Sequence, residues 1–98
     1  MKEFAWSEAK NEWLRLHRKI SFEEIVDAII GDGYLTTTEN PSSRHVGQYI
    51  FVVRVRGYVW AVPFRESSRE YRLLTAYPSR KLNDEYAKAT PSAETIEV

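Results

Sequence analysis

The chain has 98 residues, enough for one hydrophobic core and too few for two ordinary domains, which need about 100 residues or more each. A composition of 43% hydrophobic and 13% aromatic residues supplies apolar surface to offset the entropy of ordering, which excludes wholesale disorder. There is no cysteine, so neither a disulfide nor a thiolate zinc site can form; with His17 and His45 the only histidines, no metal and no cofactor is expected. The 14 basic and 14 acidic residues balance overall but segregate along the chain. Residues 1–53 hold six basic and eight acidic groups, residues 54–81 hold seven and two, and residues 82–98 hold one and four. The middle block is cationic and rich in arginine, the side chain whose fork best matches phosphate.

The N-terminus carries early acidic residues and no apolar run, so neither a signal peptide nor a membrane span is expected, and the cytoplasm is the expected compartment. The first predicted element is an amphipathic helix over residues 7–17. Ser7 serves as N-cap, Glu8 sits in the first turn, and Trp6, Ala9, Trp13, Leu16 and His17 form the apolar stripe. On this reading Trp6 and Trp13 are core residues and His17 is a partly buried packing residue. A second helix starts at the Ser21/Glu24 capping box, with Ile20 and Ile25 as hydrophobic staple. Its stripe is Phe22, Ile25, Val26 and Ile29, and Gly31 stands where a left-handed terminal residue costs least.

Residues 34–38 read as a short β-branched strand before the loop Asn40-Pro41-Ser42-Ser43. Residues 48–56 and 58–65 flank Gly57 and predict a tight hairpin with glycine at positive φ. Within it Phe51, Val53 and Val55 share one face, and Val52, Arg54 and Arg56 the other, which implies one dry and one wet face. Trp60 alternates with Tyr58, Val62 and Phe64 toward the core, while Pro63 restricts its strand to an edge or places it at a strand end. Residues 71–77 form a fourth strand, Pro78 breaks it, and Ser79 caps a short helix toward Tyr86. The expected fold is α+β: two N-terminal helices packed on one face of a four-stranded antiparallel sheet, with a short C-terminal helix. Residues 1–88 make one domain, and residues 89–98 a flexible C-terminal tail.

The segments FAWSEAKNEWL, ISFEEIVDAI, GQYIFVVRVRGYVWAVPF and YPSRK, taken in order, resemble the BrnT-like toxins of bacterial toxin-antitoxin systems, relatives of the RelE-type ribonucleases. The resemblance covers residues 4–86. It implies a toxin that cleaves RNA and inhibits growth, neutralised by a cognate ribbon-helix-helix antitoxin, so the implied partners are RNA and antitoxin, in a homodimer or a hetero-oligomer. Two positions depart from the family. Lys19 stands where many relatives have glycine before the second helix, and Glu39-Asn40-Pro41 lacks the histidine that close relatives tend to carry before the proline.

Metal-free RNA cleavage must activate the 2′-hydroxyl, stabilise charge at phosphorus and protonate the leaving oxygen. Arg80, in Pro78-Ser79-Arg80-Lys81 at a helix start, is the first candidate for holding phosphate, followed by Lys81 and then Arg65. Arg54, Arg56 and Arg72 are the candidates for binding RNA along the sheet. His45 is chemically the easiest proton shuttle, against a plain reading as a solvated loop residue. Tyr77 could stack a base or donate a proton, and its spacing from Leu73 and Thr75 equally fits the sheet interior. Glu23, Glu24 and Asp27 are read as helix-start and surface carboxylates with no catalytic role.

Overall fold

The computed structural model of the protein describes residues 2–39 and 48–89. In chain order these form β1 (Glu3–Ala5), α1 (Glu8–Arg18), α2 (Phe22–Ile30), β2 (Tyr34–Glu39), β3 (Gln48–Val55), β4 (Tyr58–Glu66), β5 (Glu70–Leu73), β6 (Tyr77–Pro78) and α3 (Arg80–Ala89). The class is α+β, and the sheet is a mixed one of six strands in the order β1-β5-β4-β3-β2, with β6 also pairing β4. The expectation of four antiparallel strands is corrected in two ways. The segment Glu3–Ala5 joins the sheet parallel to β5, a pairing between the two halves of the chain that needs no local crossover. The expected fourth strand is split into β5 and β6, which pair with different stretches of β4.

That split explains how a proline sits in a central strand. Pro63 lies opposite Ile50 of β3 and is buried, and its carbonyl accepts from the amide of Leu74, just past β5. Amide and carbonyl of one strand residue point to the same side, so the missing N–H of Pro63 faces the gap at residues 74–76, where no ladder bond is called for. Pro63 is thus neither on an edge nor at a strand end.

Both sheet faces are covered, which corrects the picture of one dry and one wet face. Leu14, Ile20, Phe22 and Ile25 of the α1/α2 layer pack on Phe51, Val53, Val55, Val62, Phe64 and Leu73. On the opposite face Ile50, Val52, Val59 and Ala61 meet Leu35 and the α3 residues Leu82 and Tyr86. The two faces are called here the α2 face and the α3 face. Of the hairpin residues expected on the wet face, Val52 is 1% exposed because α3 covers it.

The caps of both N-terminal helices form. Ser7 Oγ accepts from the Lys10 amide at 3.2 Å, and Ser21 Oγ from the Glu24 amide at 3.1 Å. The carboxylate of Glu24, however, turns to Arg56 rather than back to Ser21. The expected stripe of α1 is corrected: the helix buries Asn11 and Leu14, while Ala9 and His17 are exposed, Trp13 is 37% exposed and Leu16 62%. Trp13 lies between Lys10 and Arg18, whose cations stand 4.4 and 4.9 Å from its ring, with His17 at 4.7 Å. Trp6 precedes the helix and packs against Phe22.

Asn11 is the only buried polar side chain among the described residues, and both ends of its amide are used. Its Oδ1 accepts from the Phe22 amide at 2.8 Å, one of the orphan donors at the start of α2, and its Nδ2 donates to Glu23 at 2.9 Å. The two helices are therefore joined by a polar contact inside an apolar layer. Between them Lys19 closes α1 in the left-handed conformation at φ 57°, with its amide donating to Leu14. Lysine here takes the backbone shape that favours glycine, at a cost of roughly 1 kcal/mol.

Gly31 does not adopt the left-handed conformation; its φ is −88°. The constrained glycine is Gly33, where a Cβ would lie 2.4 Å from the Arg54 carbonyl oxygen and 2.9 Å from the Ala28 Cβ. Its close approach seats the start of β2 against β3 through the Arg54 amide, which donates to the Gly33 carbonyl at 2.7 Å. Gly57 behaves as expected, at φ 79° in a two-residue turn whose other member, Arg56, is also left-handed at φ 52°.

Candidate nucleic-acid interface

The cationic block divides between the two ends of β4. At the hairpin end the first turn of α3 is fastened to Val59. The Ser79 amide donates to the Val59 carbonyl at 3.0 Å, and the Val59 amide donates to Asn83 Oδ1 at 3.1 Å. Ser79 also caps α3, its hydroxyl accepting from the Leu82 amide at 3.2 Å. Arg80 and Lys81, next in sequence, are both exposed in that first turn, where free amides and the helix dipole favour an anion. Arg54 lies across from Val59 on β3 and is half-buried. Tyr77 pairs with Ala61, which places it on the α3 face, 39% exposed. Its side is opposite to that of Leu73, because the break at residues 74–76 interrupts the alternation.

At the far end of β4, Arg65 stands directly across from Arg72 of β5 and from Gln48 of β3. Directly opposed residues share a face, so both guanidinium groups project from the α3 face beyond the cover of α3, and both residues are exposed. Like charges placed opposite each other repel. Among the described residues Arg65 has no ion pair, and Arg72 reaches Glu70 only at 3.5 Å with both side chains solvated. The pair is a ready fork for a phosphate group, whose charge would relieve the repulsion.

The remaining expected residues are placed apart from these groups. Arg56 lies in the hairpin turn, where Nε and Nη2 hold the Glu24 carboxylate at 2.7 and 2.8 Å and Nη2 also donates to the Lys19 carbonyl at 2.6 Å. Its pKa is raised, first by the hydrogen bonds to Glu24 and then by that residue's charge. His45 lies outside the described residues, as do the loop 40–43 and residues 90–98 of the expected tail. Arg80 and Lys81 are not brought together with Arg65 and Arg72: Arg65 lies six steps along the strand from Val59, roughly 20 Å. Tyr77 stands between, about 13 Å along β4 from Arg65.

Among the carboxylates, Glu23 is held below the usual range, first by the hydrogen bond from Asn11, then by a backbone amide, and further by Arg15 and Ser21, against a small cost of desolvation. It belongs to the helix junction. Among the described residues no group of three or more His, Asp or Glu side chains is arranged to hold a metal ion, and no helix is long and apolar enough to cross a membrane. The contacts missed from sequence are Asn11, Asn83 and the Glu24–Arg56 pair. For Asn83 the four-residue spacing of Leu82 and Tyr86 was a usable signal, since it marks an apolar helix side needing a sheet to cover.

Comparison with protein-family models, curated proteins and solved structures gives no match.

Proposed function

We propose that this protein is a BrnT-like toxin that binds RNA across the α3 face of its sheet and cleaves it without a metal ion, and that a cognate ribbon-helix-helix antitoxin neutralises it in the cytoplasm. The observation that carries the RNA reading is the opposed pair Arg65 and Arg72, two uncovered arginines held side by side on neighbouring strands. With Arg80 and Lys81 roughly 20 Å away, the α3 face offers two cationic stations, a spacing suited to a polymer carrying successive phosphates rather than to a single small anion. In the cleavage reading the scissile phosphate lies at the α3 start, where Arg80 and Lys81 stabilise its charge, with Tyr77 beside it as proton donor or stacking platform.

A second reading is favoured by that same separation: a catalytically inactive relative that holds RNA or a protein partner through this face. The two readings part on one experiment. Purified protein incubated with single-stranded RNA in EDTA should yield fragments ending in 2′,3′-cyclic phosphate, and Arg80→Ala should abolish the cut while leaving RNA affinity within about threefold, because one of several phosphate contacts is lost. RNA that binds yet stays intact would replace the first reading by the second. RNA that neither binds nor breaks would remove both.

A further inference from the structure

We propose that two copies of this chain associate through the outer edge of β2, antiparallel about a two-fold axis at Thr37, and that the second copy closes the aromatic cleft beside that strand. β2 is last in the strand order, and its second edge has no partner among the described residues. Sheet edges are normally guarded by charge, proline or shortness. The opposite edge, β1, is guarded: it has three residues, one of them Glu3, and Lys2 beside it is paired with Glu66. β2 has six residues, with neither proline nor charge before Glu39, and its centre is the run Thr36-Thr37-Thr38.

The cleft begins at this edge. Phe4, Ile29, Tyr34, Thr37, Phe51 and Tyr71 line a shallow, open cleft of about 310 Å³ and include no charged side chain. The Phe51 ring stands 6.2 Å from Phe4, 6.4 Å from Tyr34 and 5.5 Å from Tyr71. Such a lining suits apolar side chains and offers a polyanion nothing. Tyr34 and Thr37 are both edge residues and cleft wall, joined by a 2.7 Å hydrogen bond between their hydroxyls. Tyr34 is 45% exposed, and Ile30, across the turn at the end of α2, is 68% exposed. Pairing of two β2 edges would bring both copies of these side chains under cover.

The pleat restricts the register. Thr36 and Thr38 lie opposite Val52 and Ile50 on the α3 face, and Thr37 opposite Phe51 on the α2 face. A two-fold axis between residues would set α3-face side chains against α2-face ones, so the axis must pass through a residue. Centring on Thr37 uses all of the flat stretch, with Thr37 against its twin and each Thr36 against Thr38 of the partner subunit. Threonine pairs opposite each other are favourable. The irregularity between Tyr34 and Thr36 falls outside the paired core. A strip this narrow lies below the roughly 1,200 Å² of stable interfaces, so the dimer is a weak one that forms at high protein concentration. The interface is isologous and leaves Arg65 and Arg72 uncovered, so it is independent of any RNA reading.

Sedimentation equilibrium of the full chain from a few to several hundred micromolar should show the mass rising toward twice that of the monomer. Thr37→Lys, at an exposed position, sets two ammonium groups together on the axis; it should keep the wild-type circular dichroism spectrum and weaken association at least tenfold. Because the chain has no cysteine, the register can be read directly. Thr37→Cys should form disulfide-linked dimers under mild oxidation at least tenfold faster than Thr38→Cys, whose thiol would face Thr36 of the partner subunit. Monomer mass throughout the range, unchanged association in Thr37→Lys, or equal crosslinking at the two positions would each overturn the proposal.

Discussion

Arg56 and Arg65 stand at opposite ends of β4, and they differ in what they touch. Arg56 is paired within its own protein although it stays exposed: Glu24 accepts from Nε and Nη2 and the Lys19 carbonyl takes a further contact from Nη2, so the hairpin is tied to the α1–α2 junction. Arg65 faces a second arginine and water. One end of the sheet is therefore built for stability. The other holds two opposed arginines whose one ion pair among the described residues is the 3.5 Å contact from Arg72 to Glu70. The contrast teaches that arginine count along the sequence does not say which guanidinium groups the fold already uses; the strand register and ion pairs do.

The sharpest way to break this contrast is at the fastened end. Asn11→Ala leaves the Phe22 amide unsatisfied and opens a cavity, and should lower stability by about 2–3 kcal/mol, read as a fall in thermal midpoint on the order of 10–20 °C. A neutral result would mean that the junction does not depend on its buried amide. Lys19→Gly should act in the other direction, raising stability by about 1 kcal/mol in urea unfolding, since glycine takes the left-handed conformation without a Cβ penalty. Arg56→Ala should destabilise by less than Asn11→Ala, with the deficit shrinking as salt screens the exposed Glu24 pair in the parent protein.

Acid should loosen the same junction. Glu23 has a depressed folded pKa, so its contribution is fully present above the ordinary carboxylate range near pH 4 and is lost as pH falls through the lower folded value. The stability gap between the parent protein and Glu23→Gln should accordingly close on acidification from neutral pH, measured by urea unfolding across the pH series. At the open end, Arg65→Ala should change stability by no more than about 0.5 kcal/mol, and in the stabilising direction, because it removes a like-charge neighbour from Arg72.

The difference in legibility follows the same division between local and distant causes. α2 was readable because its cap, staple and stripe act within a few residues: Ser21, Ile20, Phe22 and Ile25 all take their expected places. The hairpin was readable because Gly57 marks its turn, although the left-handed conformation of Arg56 beside it was not. α1 misled because periodicity counts apolar residues and cannot see that a polar one, Asn11, has its partners waiting on α2, or that Trp13 is held outward between Lys10 and Arg18. The parallel pairing of β1 with β5 joins segments far apart in sequence and leaves no local mark, whereas the cover that α3 gives to Val52 and Val59 left only the spacing of Leu82 and Tyr86, which does not say which sheet face it covers. Of the candidate site, the excess of arginine was legible, but its division into a clasped Arg56, a pair at Arg65 and Arg72, and a separate group at Arg80 and Lys81 required the strand register.

RNA affinity measured against salt tests the functional claim for the open end most directly. Fluorescence anisotropy with a single-stranded RNA, from about 50 to about 200 mM salt, should give a linear fall of log affinity with log salt. The Arg65→Ala/Arg72→Ala double variant, with its thermal midpoint intact, should bind at least tenfold more weakly at low salt and lower the slope by about 1.4, the share of two single-strand phosphate contacts. Equal affinity and equal slope in the parent and the double variant would contradict the assignment of this end of the sheet to RNA.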